Sequence, residues 1–264
     1  MAKIYINVNF KCAQRKIVKI FIFALKFKQM KPGTLYLIPS PLAECDFTKI
    51  FPAYNSEIIQ EIDHFIVEDL RTGRRFVKKL GMKKPMDSLQ FLTLNEHTKG
   101  NEIETLLQPL VEGENLGLIS DAGTPCVADP GNIIVSHAQQ LNAEVIPLIG
   151  PNSILLALMA SGLNGQSFAF NGYLPREQPD RERQLLFLET LVKKSNQTQI
   201  FIETPYRNNH VFKSILAVCD PAMRLCLGVN ITSENQMIKT MTVKRWKMQK
   251  IDLHKQPAVF LLGR

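Results

Sequence analysis

The stretch of this sequence best suited to chemistry is Ser120–Pro125, which reads Ser-Asp-Ala-Gly-Thr-Pro after an apolar run typical of a buried strand. It places the Asp121 carboxylate and the Thr124 hydroxyl around Ala122 and Gly123, which have almost no side chain. A ligand can lie against bare backbone at such positions, and open α/β sheets bind ligands at the carboxyl ends of their strands. The stretch favours a ligand-binding loop; the alternative is a plain turn capped by Asp121.

A second candidate is the glycine-proline turn at residues 147–153, which ends the next predicted strand. Asn152 or Ser153 is placed to cap an apolar helix over 154–161, and Gly162 is a typical helix stop. Taken alone, this turn indicates a helix start and no particular chemistry.

Residues 71–84 contain seven basic residues and no acidic one. Five of them are spaced so that a helix gathers them on one face: Arg71, Arg74, Arg75, Lys78 and Lys79. Such a face can follow the phosphates of a nucleic acid. A solvated helix face without a partner is the equal alternative.

The chain has 264 residues and a formal net charge of +8 at pH 7, from 32 basic and 24 acidic residues. Seven of the basic residues and none of the acidic ones lie in residues 1–29, so the remainder has a net charge of only +1. We interpret residues 1–29 as a basic leader that contributes little to the fold. The alternatives are a basic amphipathic arm and a secretory signal, although the apolar run there is short and contains Lys26.

Several functional classes lose support from what the sequence lacks. The five cysteines form no C-x-x-C pair, which argues against a disulfide framework or a structural zinc site and favours a reducing cytosol. No segment reaches the roughly 18 uncharged apolar residues of a membrane span. Phosphate-loop, G-x-G-x-x-G, H-E-x-x-H and G-x-S-x-G motifs are absent, which disfavours the common nucleotide-binding and hydrolase classes.

The candidate loops need strands to position them, and short apolar runs alternate with helix-period segments from Thr34 onward, as in α/β domains. The predicted strands of the first half are 34–39, 65–68, 91–94, 116–120 and 144–148. Those of the second half are 167–171, 199–203, 224–231, 238–243 and 257–262. Consecutive strands late in the chain predict a mixed second sheet. We therefore expect an N-terminal α/β domain at 30–149 and a C-terminal α/β domain at 150–264.

The motifs, taken in order, resemble the tetrapyrrole (corrin/porphyrin) methylase superfamily, specifically its ribosomal small-subunit RNA methyltransferase I branch. The matching blocks are LYLIPSPL at 35–42, VEDLRT at 67–72, SDAGTPCVADPG at 120–131, PLIGPNSILLALMASG at 147–162, FNGYLP at 170–175 and FIETPYR at 201–207. The resemblance implies two α/β domains, the first mostly parallel and the second mixed, with S-adenosylmethionine (AdoMet) in the interdomain cleft. It also implies a cytoplasmic homodimer that methylates a cytidine ribose 2′-oxygen of small-subunit (16S) rRNA.

The resemblance carries site residues with it, by position within the matched blocks. AdoMet is implied at Pro39, Asp121, Ala122, Gly123, Thr124, Pro125, Asn152, Ser153, Tyr173 and Leu174. A base that accepts the ribose proton contributes about 10² to 10⁴-fold, and the candidates near predicted strand ends are Glu68, Asp69, Glu96 and His97. Helix capping or pairing with an arginine is the alternative for the carboxylates. The basic face is the expected RNA contact, and neither a metal nor a membrane is expected.

Two departures from the branch bear on the substrate. Ala43 and Glu44 stand where the branch has Gly-Asn, and residues 95–98 read Asn-Glu-His-Thr where it has a block like His-Glu-His-Asn. A divergent paralogue, a small-molecule methyltransferase of the same fold and a non-catalytic AdoMet or RNA binder are therefore the alternative functions.

Deleting residues 1–29 tests the interpretation of the basic leader. We expect a chain that begins at Met30 to keep its melting temperature and its methyl-transfer rate, because the strand-like segments start only at Thr34. Thermal unfolding and a transfer assay on both lengths of chain check this. A marked fall in the melting temperature or in the transfer rate would show that the leader contributes to stability or to activity.

Overall fold

The computed structural model describes residues 31–95, 98 and 100–264. The predicted leader at 1–29 and the candidate residues Glu96 and His97 lie outside the described residues. Contacts divide the described chain into two compact units. The first contains 31–38, 56–119 and 129–148, and the second contains 39–55, 120–128 and 149–264. The division into domains at residue 150 stays a prediction.

The first unit is built on a parallel sheet of five strands in the order β3-β2-β4-β1-β5. The strands are β1 (Thr34–Ile38), β2 (His64–Val67), β3 (Gln90–Thr93), β4 (Leu116–Ile119) and β5 (Glu144–Pro147). Each agrees with its predicted strand to within one residue at either end. The helices between them are α1 (Ala53–Ile58), α2 (Leu70–Lys79), α3 (Asn101–Val111) and α4 (Asn132–Gln140). Short 3₁₀ turns lie at Phe47–Lys49, Ile59–Glu61 and Met86–Ser88.

The centre of this sheet is closed to solvent. All four residues of β4 are buried, as expected of a strand covered on both faces. Gly117 has no room for a side chain, because a Cβ there would lie 2.8 Å from Ile38 Cδ1 and 2.9 Å from Phe65 Cδ1. This packing fixes the strands whose carboxyl ends lead into the candidate loops.

The second unit contains a mixed sheet in the order β6-β7-β10-β8-β9, in which only β6 and β7 are parallel. The strands are β6 (Phe168–Tyr173), β7 (Thr198–Ile202), β8 (Arg224–Val229), β9 (Met237–Thr242) and β10 (Ala258–Gly263). The helices are α5 (Ser153–Ser161), α6 (Gln178–Ser195), α7 (Asn208–Val218) and α8 (Val243–Trp246). The mixed sheet was predicted, and every strand lies within two residues of its predicted bounds.

An apolar core supports the second sheet. β10 is buried along its whole length, and Phe260 on it stacks on Phe201 of β7 with ring centroids 5.6 Å apart. Trp246 is fully buried, and its indole N–H donates to the Leu225 carbonyl across 2.8 Å. A buried indole N–H needs a hydrogen-bond partner. Because Trp246 lies on α8, directly after β9, this bond holds the end of β9 against the core.

Candidate functional site

The loops that follow β1 and β4 are joined by a short antiparallel bridge. The Ser40 N–H donates to the Gly123 carbonyl across 2.9 Å, and the Gly123 N–H donates back to the Ser40 carbonyl across 3.1 Å. Gly123 has a φ of +81°, in the left-handed region that glycine enters without steric cost. The glycine of the Ser-Asp-Ala-Gly-Thr-Pro stretch is therefore required by the turn itself.

Asn152 links the same loop to a helix. Its side-chain carbonyl accepts from the Leu155 N–H across 3.0 Å and caps α5, while its side-chain amide donates to Thr124 Oγ1 across 2.6 Å. The prediction that Asn152 or Ser153 caps this helix is confirmed for Asn152, and Ser153 is the first helical residue. Gly162 ends the helix at a φ of +64°, as predicted.

The glycine-proline turn before α5 packs against the loop that follows β1. A Cβ on Gly150 would lie 2.3 Å from Pro39 Cγ and 3.2 Å from the Phe51 ring, so only glycine fits there. The Asn55 side-chain amide donates to the Ile149 carbonyl across 2.9 Å. Residues 39–55, 120–128 and 149–153 thus form one connected structure, the loop cluster.

Part of the loop cluster has a strained backbone. Cys126 and Ala128 adopt φ values of +67° and +66°, although both have a Cβ. The left-handed region costs such residues on the order of 1–2 kcal/mol each. Strain of this kind persists where the surrounding contacts enforce it, and it concentrates at ligand-binding loops. The observation supports a functional role for residues 121–128.

All ten predicted AdoMet residues fall in the second unit. Those with exposed side chains are Asp121, Ala122 and Tyr173. Those that are half-buried are Thr124, Asn152 and Ser153, and those that are buried are Pro39, Gly123, Pro125 and Leu174. Leu174 is part of the apolar core of this unit. The buried members shape the loops, and the exposed ones lie at the surface of the second unit.

Tyr173 owes its position to an irregularity in β6. The pairing of β6 with β7 shifts register between Phe170 and Tyr173, and Gly172 has a φ of +63°. A bulge of this kind redirects the side chains that follow it. Tyr173 is consequently about half exposed, whereas Leu174 points into the core.

Arg181 is a positioning residue that sequence reasoning missed. Its side chain is only 4% exposed, and it donates from Nη1 to the Arg176 carbonyl across 2.6 Å and from Nε to Ser214 Oγ across 3.0 Å. These bonds attach the segment after Tyr173 to α7. No sequence pattern indicates this role, because Arg181 lies in a strongly charged stretch that is typical of an exposed helix.

The candidate bases in the first unit differ in environment. Glu68 is half-buried and directly follows β2. Asp69 is the N-cap of α2 and accepts from the Thr72 N–H across 2.7 Å. The hydrogen bonds from Thr72 lower the pKa of Asp69 below its ordinary value. A lower pKa makes a weaker base, and the cap occupies the Asp69 carboxylate, so Asp69 is poorly suited to accept a proton.

The predicted basic face exists on α2. Arg71, Arg75, Lys78 and Lys79 are exposed, while Gly73, Phe76 and Val77 are buried on the opposite side. Arg74 is half-buried, pairs with Asp87 across 2.9 Å and lies 5.4 Å from the centre of the Phe91 ring. The fully exposed cations of the face are therefore the other four.

The remaining polar clusters are structural. Glu203 is buried and pairs with Arg207 across 3.1 Å. Within the described ranges, no group of three or more His, Cys, Asp or Glu residues is arranged to hold a metal ion. No helix in that part of the chain is long and apolar enough to cross a membrane.

Solved structures identify the fold. The methyltransferase CobJ matches with a TM-score of 0.59 and 14% identity, over 88% of this chain and 94% of that one. The cobalt precorrin-4 methyltransferase CbiF matches with a TM-score of 0.56 and 14% identity, over 87% of this chain and 94% of that one. The uroporphyrin-III-C-methyltransferase from Thermus thermophilus matches with a TM-score of 0.52 and 14% identity, over 88% of this chain and 92% of that one. The fold is that of the tetrapyrrole methylases.

Sequence relatives define the family more narrowly, although no family model matches the chain. The ribosomal RNA small subunit methyltransferase I of Vibrio cholerae is 30% identical over 208 residues, which are 78% of this chain and 68% of that protein. The proteins of the same name from Escherichia coli O157:H7 and Bacillus subtilis are 31% and 33% identical, over 76% and 66% of this chain. The chain spans 66% and 56% of their respective lengths. It belongs to the ribosomal RNA small subunit methyltransferase I family.

The packing of Gly150 gives a test of the loop cluster. Gly150→Ala should lower the free energy of unfolding by about 1–3 kcal/mol, because the added methyl group must displace Pro39. Gly165→Ala is the matched control, since a Cβ there meets nothing within 4 Å. Denaturant unfolding of both variants checks this, and equal stability of the two would show that the cluster tolerates expansion at Gly150.

Proposed function

We propose that this chain is an AdoMet-dependent methyltransferase that methylates the 2′-oxygen of a cytidine ribose in small-subunit rRNA. The observation that carries the proposal is the identity of 30–33% with relatives named ribosomal RNA small subunit methyltransferase I. Each relative is matched over only part of its length, so activity and substrate are our inference from the family and the site. The loop cluster and the basic face of α2 support it independently.

The loop cluster suits AdoMet as a ligand. It offers an exposed carboxylate on Asp121 beside the small side chain of Ala122, and Asn152 holds the loop in place through Thr124. The Ser40 hydroxyl is buried and has no hydrogen-bond partner among the described residues, so it can take one more bond. When bound, AdoMet supplies a methyl group on a positively charged sulfur, which a carboxylate nearby favours.

Glu68 is the proposed base for the ribose hydroxyl. A hydroxyl is a weak nucleophile near neutral pH, and removing its proton as the bond to carbon forms contributes about 10² to 10⁴-fold. Glu68 is half-buried and directly follows β2, whereas the neighbouring Asp69 is engaged as the N-cap of α2. The remaining task of the protein is alignment of the acceptor oxygen, which needs no metal. His97 and Glu96 stay predictions.

The basic face of α2 is the proposed contact for the RNA backbone. Its exposed cations lie on consecutive turns of one helix, and phosphate contacts of this kind supply affinity that is independent of base sequence. Outside residues 1–29 the net charge is only +1, so attraction to RNA has to come from a local patch. We further propose that the protein works as a homodimer in the cytoplasm, without a membrane or a metal partner.

Transfer of labelled methyl groups tests the proposed activity. Wild-type protein with tritiated AdoMet should label rRNA in small subunits from a strain that lacks the gene. Asp121→Ala should reduce transfer roughly 10- to 100-fold, because hydrogen bonds to a charged group are worth about 1.5–3 kcal/mol. Asp180→Ala, an exposed aspartate on α6, is the control and should transfer normally. No labelling, with AdoMet binding shown by calorimetry, would favour a small-molecule acceptor or a non-catalytic binder.

The basic face is tested by removing its charges. The combined change Arg71→Ala, Arg75→Ala and Lys78→Ala should raise KM for the small subunit and leave AdoMet binding unchanged. It should also make RNA binding less sensitive to salt. The slope of the logarithm of the binding constant against the logarithm of salt concentration should become shallower by up to about three, since each lost phosphate contact contributes about 0.7–0.9. Lys244, Lys247 and Lys250, exposed in the second unit, give a matched triple alanine control. Unchanged KM in the α2 variant would point to a small-molecule substrate.

A further inference from the structure

An exposed tyrosine lies between two basic side chains in the second unit. The Tyr206 side chain follows β7 and is 65% exposed. The His254 ring meets it edge-on with centroids 5.8 Å apart, and the Lys255 ammonium lies over the ring at 5.9 Å from its centroid. Tyr206, His254 and Lys255 form what we call the tyrosine platform.

Hydrogen bonds hold together the two chain segments that contain the tyrosine platform. Four hydrogen bonds join residues 205–209 to residues 252–256. They run from the Lys255 N–H to the Pro205 carbonyl (3.0 Å), from Asn208 Nδ2 to the Gln256 carbonyl (2.6 Å), from Asn209 Nδ2 to Asp252 Oδ1 (2.6 Å) and from the Leu253 N–H to Asn209 Oδ1 (2.9 Å). Asn208 is fully buried, so its side chain anchors residues 252–256 from inside the protein, while the bond between Asn209 and Asp252 lies at the surface.

The backbone at Lys255 is unfavourable for a lysine. Its φ is +60°, a region in which a side chain costs free energy that glycine avoids. The hydrogen bond to Pro205 keeps the residue in this conformation. Glycine would serve the turn better, so the lysine side chain over the tyrosine ring is a candidate for a function.

The lysine of the platform has no ion-pair partner among the described residues, although the Asp252 carboxylate lies on the same segment. Glu203 is paired with Arg207, and the Asp252 carboxylate accepts from Asn209 Nδ2 and from the His254 N–H. Within the described part of the chain, no carboxylate forms an ion pair with Lys255. An aromatic ring beside an ammonium that has no ion-pair partner among the described residues suits a ligand that has both an aromatic face and a negative charge.

We propose that the tyrosine platform binds an unpaired nucleotide of the RNA substrate, with the base stacked on Tyr206 and the adjoining phosphate near Lys255. Proteins recognise single-stranded RNA by stacking exposed bases on aromatic side chains, whereas bases inside a duplex are already stacked. This inference rests on the proposed function for the identity of the RNA. It adds a contact in the second unit that is independent of the basic face of α2.

Binding of a short unstructured oligoribonucleotide to the full chain tests the platform. Tyr206→Ala should weaken binding about tenfold, in the range measured for loss of one stacked base. Tyr206→Phe keeps the ring and should bind like wild type. Phe187→Ala is the matched control, since Phe187 is 56% exposed on α6 and has no cation over its ring among the described residues. Fluorescence anisotropy supplies the affinities, and circular dichroism confirms folding.

Lys255→Gly separates a structural role of the lysine from the proposed one. Because glycine suits the positive φ, this variant should be at least as stable as wild type and should still bind RNA more weakly at low salt. An oligonucleotide that contains 4-thiouridine should crosslink to the peptide containing Tyr206. A duplex of the same sequence should bind equally to wild type and Tyr206→Ala.

The outcomes separate this inference from the proposed function. Wild-type affinity in Tyr206→Ala, or no binding of the oligonucleotide by wild type, would overturn the platform and leave the methyl-transfer result intact. Tyr206-dependent binding without methyl transfer to small subunits would overturn the proposed function and support the platform. Weaker association with a second protein in Tyr206→Ala, with RNA affinity unchanged, would assign the platform to a protein partner instead and overturn the inference.

Discussion

The side chain of Asn152 makes two hydrogen bonds on which the candidate site depends. The side-chain oxygen accepts from the Leu155 N–H and caps α5, and the side-chain amide donates to Thr124 in the loop after β4. Because a single residue makes both bonds, the start of the helix and the position of the loop cannot vary independently. The Ser40–Gly123 bridge then fixes the loop after β1 to the same point. Every exposed group proposed to contact AdoMet near this loop inherits its position from that arrangement.

The fold of the first sheet was readable from the sequence because its strands are nearly continuous apolar runs separated by helix-period segments. The cap by Asn152 and the helix stop at Gly162 were also readable, since both depend on residues within a few positions of one another. Contacts between residues that are distant in the chain could not be predicted from the sequence. The pairing of Arg74 with Asp87, the bonds of Arg181 to Arg176 and Ser214, and the meeting of Tyr206 with Lys255 depend on where the chain returns in space.

The fold alone says little about the substrate. Solved structures that share it have only 14% identity with this chain, and two of them are named for tetrapyrrole or corrin substrates. Folds host many functions, and the specificity lies in the sites placed on them. The features that we propose to contact RNA lie outside the core of the two sheets. They are the cations of α2 and the aromatic ring after β7.

The membership of the loop cluster in the second unit has a consequence for the order in which the protein is made. Residues 39–55 and 120–128 leave the ribosome before Asn152, yet their contacts are with residues 149–153 and with each other. The strand β1 likewise waits for β4 and β5, which are about 80 and 110 positions away along the chain. Such long separations slow folding, because distant segments must meet before their contacts can form. A nascent chain that ends before Asn152 therefore contains the whole first sheet but cannot yet assemble the candidate site.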